Sequence, residues 1–185
     1  YRCDSSPALR SDLEPRPMSI FGQSRALCED LVRWYRHLYG LNMTVLRLPY
    51  VYGENTGRAT FLTKLIRNAK ENKPVTVHRY LNGFQSLDLL HVDDVVDAIE
   101  RAIRIVPSED INLGSGTGIS TLELAKLIVD LTKSESKINI VNVKNRVGHL
   151  IADTTKAREL LNWKPRTDFR RALQEMLTGK TKGGQ

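Results

Sequence analysis

Pro17-Met18-Ser19-Ile20-Phe21-Gly22-Gln23-Ser24-Arg25, continued past Gly40 by Leu46-Arg47-Leu48-Pro49-Tyr50-Val51-Tyr52-Gly53, is the stretch that decides how this chain folds. From Ser19 to Tyr39 the residues Ala26, Leu27, Leu31, Val32, Trp34, Tyr35 and Leu38 recur at helical spacing, and Gly40 is placed to stop the helix. These residues occupy more than one side of it. Such a width predicts burial against a sheet and against a second subunit. Met43 to Leu48 is a β-branched and apolar run, read as a buried strand that Pro49 closes.

Working outward, Tyr1 to Pro17 holds prolines 7, 15 and 17 and no apolar period, so it reads as an extended loop. Downstream the pattern alternates. A helix is predicted around Phe61 to Asn72 and a strand over Pro74 to His78, followed by a turn at Leu81-Asn82-Gly83-Phe84 and a strand over Leu87 to His91. Asp93 or Asp94 is the predicted N-cap of a helix over Val95 to Val106. Ile111-Asn112-Leu113 reads as a strand ending in Gly114-Ser115-Gly116, and Ser120 with Glu123 fits a capping box opening a helix over Leu122 to Leu131. A strand over Lys137 to Val143 and helices over Thr155 to Leu161 and Phe169 to Leu177 complete the series, with Gly179 to Gln185 as a flexible tail. Strands alternating with helices throughout argue an α/β fold.

Composition narrows the function. With 185 residues, 41% hydrophobic and 26% charged, the chain can build one soluble domain with a real core. No apolar run approaches the ~18 residues of a membrane span, and the first residues lack a signal peptide's pattern, so a cytoplasmic, non-membrane protein is expected. Cys3 and Cys28 form neither a metal-ligand spacing nor a disulfide framework. The net charge of +7 arises from arginines such as Arg33, Arg36, Arg101, Arg104, Arg158, Arg170 and Arg171, scattered over helix faces without a basic stripe interleaved with aromatics. Nucleic acid is therefore not an expected partner.

The opening stretch resembles the active-site signature P-x-S-x-Y-G-x-S-K of the extended short-chain dehydrogenases/reductases, the NAD-dependent nucleotide-sugar epimerases and dehydratases. Further segments match in the family's order. Asp88-Leu89-Leu90-His91-Val92-Asp93-Asp94 resembles its R-D-F-x-H-V-x-D stretch, and Ile111 to Gly116 its Y-N-V-G-S-G turn. Arg146-x-Gly148, Asp153, Lys156-Ala157 and Leu161-Asn162-Trp163-Lys164-Pro165 are similar to its closing motifs. The resemblance implies the C-terminal part of a Rossmann-like fold with its small substrate-binding subdomain. Tyr1 aligns just past the strand bearing the catalytic Ser/Thr, and the G-x-x-G-x-x-G turn that cradles NAD has no counterpart, so the dinucleotide half is expected to be absent. Residues 1–53 would be a Rossmann remnant and 54–178 mostly the substrate-binding subdomain. Gly114-Ser115-Gly116-Thr117-Gly118 is read as a structural turn, not a substitute phosphate loop.

The resemblance also implies roles. In the family the signature Tyr is the general base toward the sugar hydroxyl, with its pKa lowered from the free value of about 10 by the Lys. Here Phe21 stands at the Tyr and Arg25 at the Lys. Phe21 has no hydroxyl, and positioned acid–base catalysis contributes on the order of 10²–10⁴ in rate. Arg25 keeps a charge that can hydrogen-bond a ribose, but a planar guanidinium is not an ammonium. No intact catalytic residue is therefore expected, and Tyr35, Tyr39 and Tyr52 lack the cation four residues on. By position, Arg25 and Pro49 fall to the cofactor, and Tyr50, Thr76, Val77, His78, Leu87 and Arg146 to the substrate. Among these, Leu87 replaces a phosphate-binding Arg and Tyr50 an Asn, Arg146 matches a second phosphate-binding Arg, and Thr76 to His78 lie on the strand that lines the nucleotide base. The implied function is the nucleotide-sugar-binding portion of a UDP-glucose 4-epimerase-like protein, inactive as this chain and binding no NAD alone. It would form a homodimer through the 19–39 helix. The competing reading is a non-catalytic interaction protein built on that helix.

Overall fold

A computed structural model of the chain describes residues 19–54 and 60–178. The predicted loop over Tyr1 to Pro17 and the tail from Gly179 lie outside the described residues. In chain order the elements are α1 (Ile20–Tyr39), β1 (Val45–Arg47), β2 (Tyr50–Tyr52), α2 (Phe61–Lys70), β3 (Val75–Tyr80), β4 (Gly83–Phe84), β5 (Ser86–Leu87) and β6 (Leu89–His91). They continue with α3 (Val92–Ile105), β7 (Asp110–Asn112), β8 (Ile119–Ser120), α4 (Thr121–Thr132), β9 (Ile138–Asn142), α5 (Thr155–Leu161) and α6 (Phe169–Thr178).

Local chemistry explains the helix ends. Ser19 caps α1 by accepting a hydrogen bond from the Gly22 amide at 3.0 Å, and Gly40 leaves it in the left-handed region, φ 62°, where a residue without Cβ is unstrained. The capping box of α4 is formed on both sides, Ser120 to the Glu123 amide and the Glu123 carboxylate to the Ser120 amide. The N-cap of α3 differs from the expectation. His91 holds that place, its Nδ1 accepting from the Asp93 amide at 3.2 Å. Asp93 is exposed, and Asp94 faces inward, where its carboxylate accepts the Arg166 and Thr167 amides while its carbonyl accepts the Trp163 indole N–H. A long-range use for the buried carboxylate displaced the local one.

Strands β1 and β7 pair in parallel, as do β2 and β6. A separate sheet has the order β4-β3-β9, with β3 and β9 parallel, and β5 pairs antiparallel with β8. Two cores result. One packs Leu62, Leu65, Val75, Val77, Leu124 and Ile128 between α2, β3 and α4; the other packs Leu90, Val95, Ile111, Leu113, Leu161 and Trp163 around α3, β7 and α5. Tyr52 belongs to the first and Leu46 and Val51 pack on the second, so both cores draw on segments either side of residue 53.

Helix α1 departs most from expectation. None of its residues is buried, and Leu27, Leu31, Trp34, Tyr35 and Leu38 are exposed. Its sheet-facing side instead carries charge. Glu29 pairs with Arg47 at 2.6 Å, Arg36 with Asp110 at 2.8 Å, and the Arg36 Nε–H donates to the Met43 carbonyl. Predicted burial against the sheet is thus replaced by ion pairs, because the large apolar residues sit on the opposite side.

Candidate functional site

A cavity of about 500 Å³ lies where the β1–β2 junction, the start of α2, the outer face of β3, the 85–88 segment and the start of α4 converge. Small-molecule sites commonly fall between roughly 300 and 1,000 Å³. The junction supplies Leu48, Pro49 and Tyr50, α2 supplies Phe61, and β3 supplies His78 and Tyr80. Gln85, Leu87, Asp88, Thr121 and Leu150 complete the lining. Residues 78 and 80 share a face because strand side chains alternate, while Val75 and Val77 point the other way into the core.

The sequence-derived residues divide accordingly. Pro49, Tyr50, His78 and Leu87 come together in this one cavity. Thr76 is exposed and is not among the lining residues. Val77 corrects an expectation: at 1% exposure its side chain packs in the α2–β3–α4 core and cannot reach a ligand. Arg146 is exposed on the segment after β9 and does not line the cavity. That segment nevertheless runs beside it, held by the Asn82 side chain at the Val147 carbonyl (2.8 Å) and by the Ser86 amide at His149 Nδ1 (3.2 Å). Phe21 is 70% exposed, and the Arg25 guanidinium carbon stands 5.0 Å from its ring centroid, a cation–π contact between the two residues that occupy the signature positions.

Electrostatics inside the cavity are largely settled by the protein itself. Asp88 is buried, and its carboxylate accepts the Ser115 amide and hydroxyl, both at 2.7 Å, the Ala152 amide at 3.0 Å and the Gly116 amide at 3.3 Å. The glycine-rich turn therefore spends its amides on an internal carboxylate, as a structural turn does, and does not fit a dinucleotide pyrophosphate. Gly114 is required there, since a Cβ would stand 2.5 Å from an Asp88 oxygen and 2.6 Å from the Ala152 Cβ. The Tyr50 hydroxyl accepts from the Leu62 amide at 3.3 Å, tying the cavity wall to the first turn of α2.

A second hollow of about 700 Å³ lies between the start of α3 and α6, rimmed by Asp93, Asp94, Asp97, Arg166, Asp168 and Arg171. Part of its charge is used internally, Asp97 pairing with Arg101 at 3.0 Å and Arg171 with Glu175 at 2.9 Å. Adjacent Tyr52 has its phenol pKa pushed up, chiefly by burial and then by Asp94 and Asp168, so it stays protonated at neutral pH and is no substitute base. Among the described residues no group of His, Cys, Asp or Glu is arranged to hold a metal ion, and no helix is long and apolar enough to cross a membrane.

Sequence reasoning missed Leu48, Phe61, Tyr80, Gln85, Asp88, Thr121 and Leu150. The alternation Thr76, His78, Tyr80 carried the signal for Tyr80; Leu48, Gln85 and Asp88 sit beside nominated residues in the chain, and Phe61, Thr121 and Leu150 arrive from separate segments.

Comparison with known proteins places this geometry. Residues 3–114 match the family described as NAD dependent epimerase/dehydratase. A UDP-glucuronate 4-epimerase of Thermodesulfobacterium geofontis is 30% identical over 172 residues, covering 91% of this chain and 53% of that protein. Among solved structures, a UDP-glucose 4-epimerase of Thermotoga maritima with UDP-glucose superposes with a TM-score of 0.79 at 28% identity, over 92% of this chain and 56% of that one. A UDP-glucuronic acid 4-epimerase of Bacillus cereus in complex with NAD gives 0.82 at 24% identity, over 95% and 57%, and supports the fold alone. The chain thus spans about half the length of the relatives it matches. With a match that runs from residue 3 through the signature helix and β1 to β7, more than half of the chain, the chain belongs to the NAD dependent epimerase/dehydratase family.

Proposed function

We propose that this chain forms the sugar-nucleotide-binding portion of a UDP-glucose 4-epimerase-like protein, and that its own signature positions contribute no acid–base catalysis. The observation that carries the reading is the convergence of Pro49, Tyr50, His78 and Leu87, assigned to ligand or cofactor by motif position, on one cavity of about 500 Å³. The UDP-glucose in the Thermotoga maritima relative supports the ligand class. Aromatic walls from Tyr50, Phe61, His78 and Tyr80 suit a planar ring, and Arg146, on the segment bound to Asn82 and Ser86, is the charge that meets the diphosphate at the rim. Phe21 without a hydroxyl cannot take the proton from a sugar hydroxyl, and Arg25 is engaged with its ring. Hydride chemistry with NAD, which the family name implies, is not assigned to these residues.

A thermal melt of the chain with and without millimolar UDP-glucose, with NAD as comparison ligand, tests this. A ligand that binds only the folded state raises the midpoint, by about 2.7 kcal/mol of stability at a hundredfold excess over Kd. UDP-glucose should raise it and NAD should not, and Arg146→Ala should shrink the UDP-glucose effect. An unchanged midpoint with UDP-glucose overturns the reading.

A second reading has an observation of its own. Leu27, Leu31, Trp34, Tyr35 and Leu38 form an exposed stripe along α1 at helical spacing, which supports self-association through that helix and a role in contacts with a second copy of the chain.

A further inference from the structure

Arg146 is an exposed cation on a stretch without regular secondary structure, yet the backbone on both sides of it is fixed. Before it, the Asn145 carbonyl accepts the Leu81 amide at 2.9 Å. After it, the Asn82 side chain takes both backbone groups of Val147: Nδ2–H donates to the carbonyl at 2.8 Å, and Oδ1 accepts the amide at 2.9 Å. This two-point exchange reproduces what a neighbouring strand offers a residue in an antiparallel ladder. Asn82 is itself well placed to hold something, because it sits in the two-residue turn of the β3–β4 hairpin, between the paired Tyr80 and Gly83. Four residues beyond Arg146 the same segment reaches the cavity wall as Leu150, which bridges to Leu87. An exposed arginine on a loose segment loses backbone freedom when it meets a ligand, at a cost of roughly five- to thirtyfold in affinity per residue ordered. A segment clamped beforehand avoids that loss.

We infer that Asn82 is a positioning residue, which by clamping Val147 holds Arg146 ready for the phosphates of a ligand seated in the cavity. This rests on the nucleotide-sugar reading and adds to it the residue that fixes the phosphate-binding cation. Asn82 acts through Arg146, so its contribution to binding exists only while the guanidinium is present.

A double-mutant cycle on the full chain, read by titration calorimetry with UDP-glucose, tests it with wild type, Asn82→Ala, Arg146→Ala and the two together. Arg146→Ala should bind about tenfold more weakly, as for one lost charge-assisted hydrogen bond. Asn82→Ala should lose about fivefold, the lower end of the cost of ordering one residue. The double variant should match Arg146→Ala. Where Asn82→Ala does not melt cooperatively, Asn82→Asp, which keeps the Oδ1 acceptor and loses the donor, takes its place under the same criteria. An Asn82 variant that binds as wild type does overturns the assignment. So does a loss that is as large in the Arg146→Ala background as alone, the result that a merely structural role would give. Unchanged affinity in Arg146→Ala removes the assignment and leaves the cavity as the ligand site, whereas a wild-type chain that does not bind UDP-glucose overturns the nucleotide-sugar reading and the assignment together.

Discussion

Helices α1 and α4 are equally legible as amphipathic segments, and they settle in opposite ways. In α4, Leu124, Ala125 and Ile128 are 0% exposed, enclosed by α2, β3 and α6. In α1 no residue is buried, and the large apolar side chains stand on the side away from the sheet. Helical period says which residues share a face, whereas burial requires a neighbour on that face. For α4 the neighbours lie within this chain. For α1, among the described residues, Arg47, Asp110 and the Met43 carbonyl meet Glu29, Arg33 and Arg36, so the attachment is polar and ionic where α4's is hydrophobic.

The strongest way to break this contrast is to truncate equivalent leucines. Leu124→Ala should cost about 2–5 kcal/mol, the range for a buried leucine losing its packing. Leu27→Ala should stay within about 0.5 kcal/mol, as for surface positions. Urea unfolding of the two variants provides the comparison, and similar losses would mean that α1 is covered in solution. The next test sharpens the question of what covers it. If the α1 stripe joins two copies, sedimentation should find dimers at micromolar concentration, and Leu31→Glu should convert them to monomers while UDP-glucose affinity is retained. A wild-type monomer at every concentration removes the second reading. The smallest expected effect concerns the inner side of α1. Raising salt to 1 M shortens the screening length to about 3 Å, so amides of α1 should exchange with deuterium faster while those of α4 keep their rate. Equal responses would show that the Glu29, Arg47 and Asp110 pairs do not hold the helix.

Local chemistry accounts for what was readable. The α1 boundaries follow from Ser19 and Gly40, the α4 start from Ser120 and Glu123, and α5 runs over Thr155–Leu161 as its apolar spacing predicts. Each of these devices acts within a turn of chain. The short strand β2 was not anticipated behind Pro49, and neither was β8, because each exists through a partner far away in sequence, β6 and β5 respectively. His91 displaced the two aspartates as the α3 cap for the same reason: the 166–167 backbone claimed Asp94.

The site follows that division. Motif order was enough to nominate Pro49, Tyr50, His78 and Leu87, and the alternation along β3 marks Val77 as facing opposite to His78. Nothing local marks Phe61, Thr121 or Leu150 as cavity residues, since they join the lining only where separate segments of the chain meet.

By itself the sequence determined the α/β alternation, the capped helices, the family signature and the loss of a hydroxyl at Phe21, because propensity, capping and motif chemistry reside in residues a few positions apart. Only the tertiary structure decided that α1 turns its apolar side outward, that Asp88 takes the amides of the glycine-rich turn, and that Tyr50, His78 and Leu87 meet in one cavity. Those outcomes depend on which distant segments reach the same place and on how many hydrogen-bond partners remain when they do.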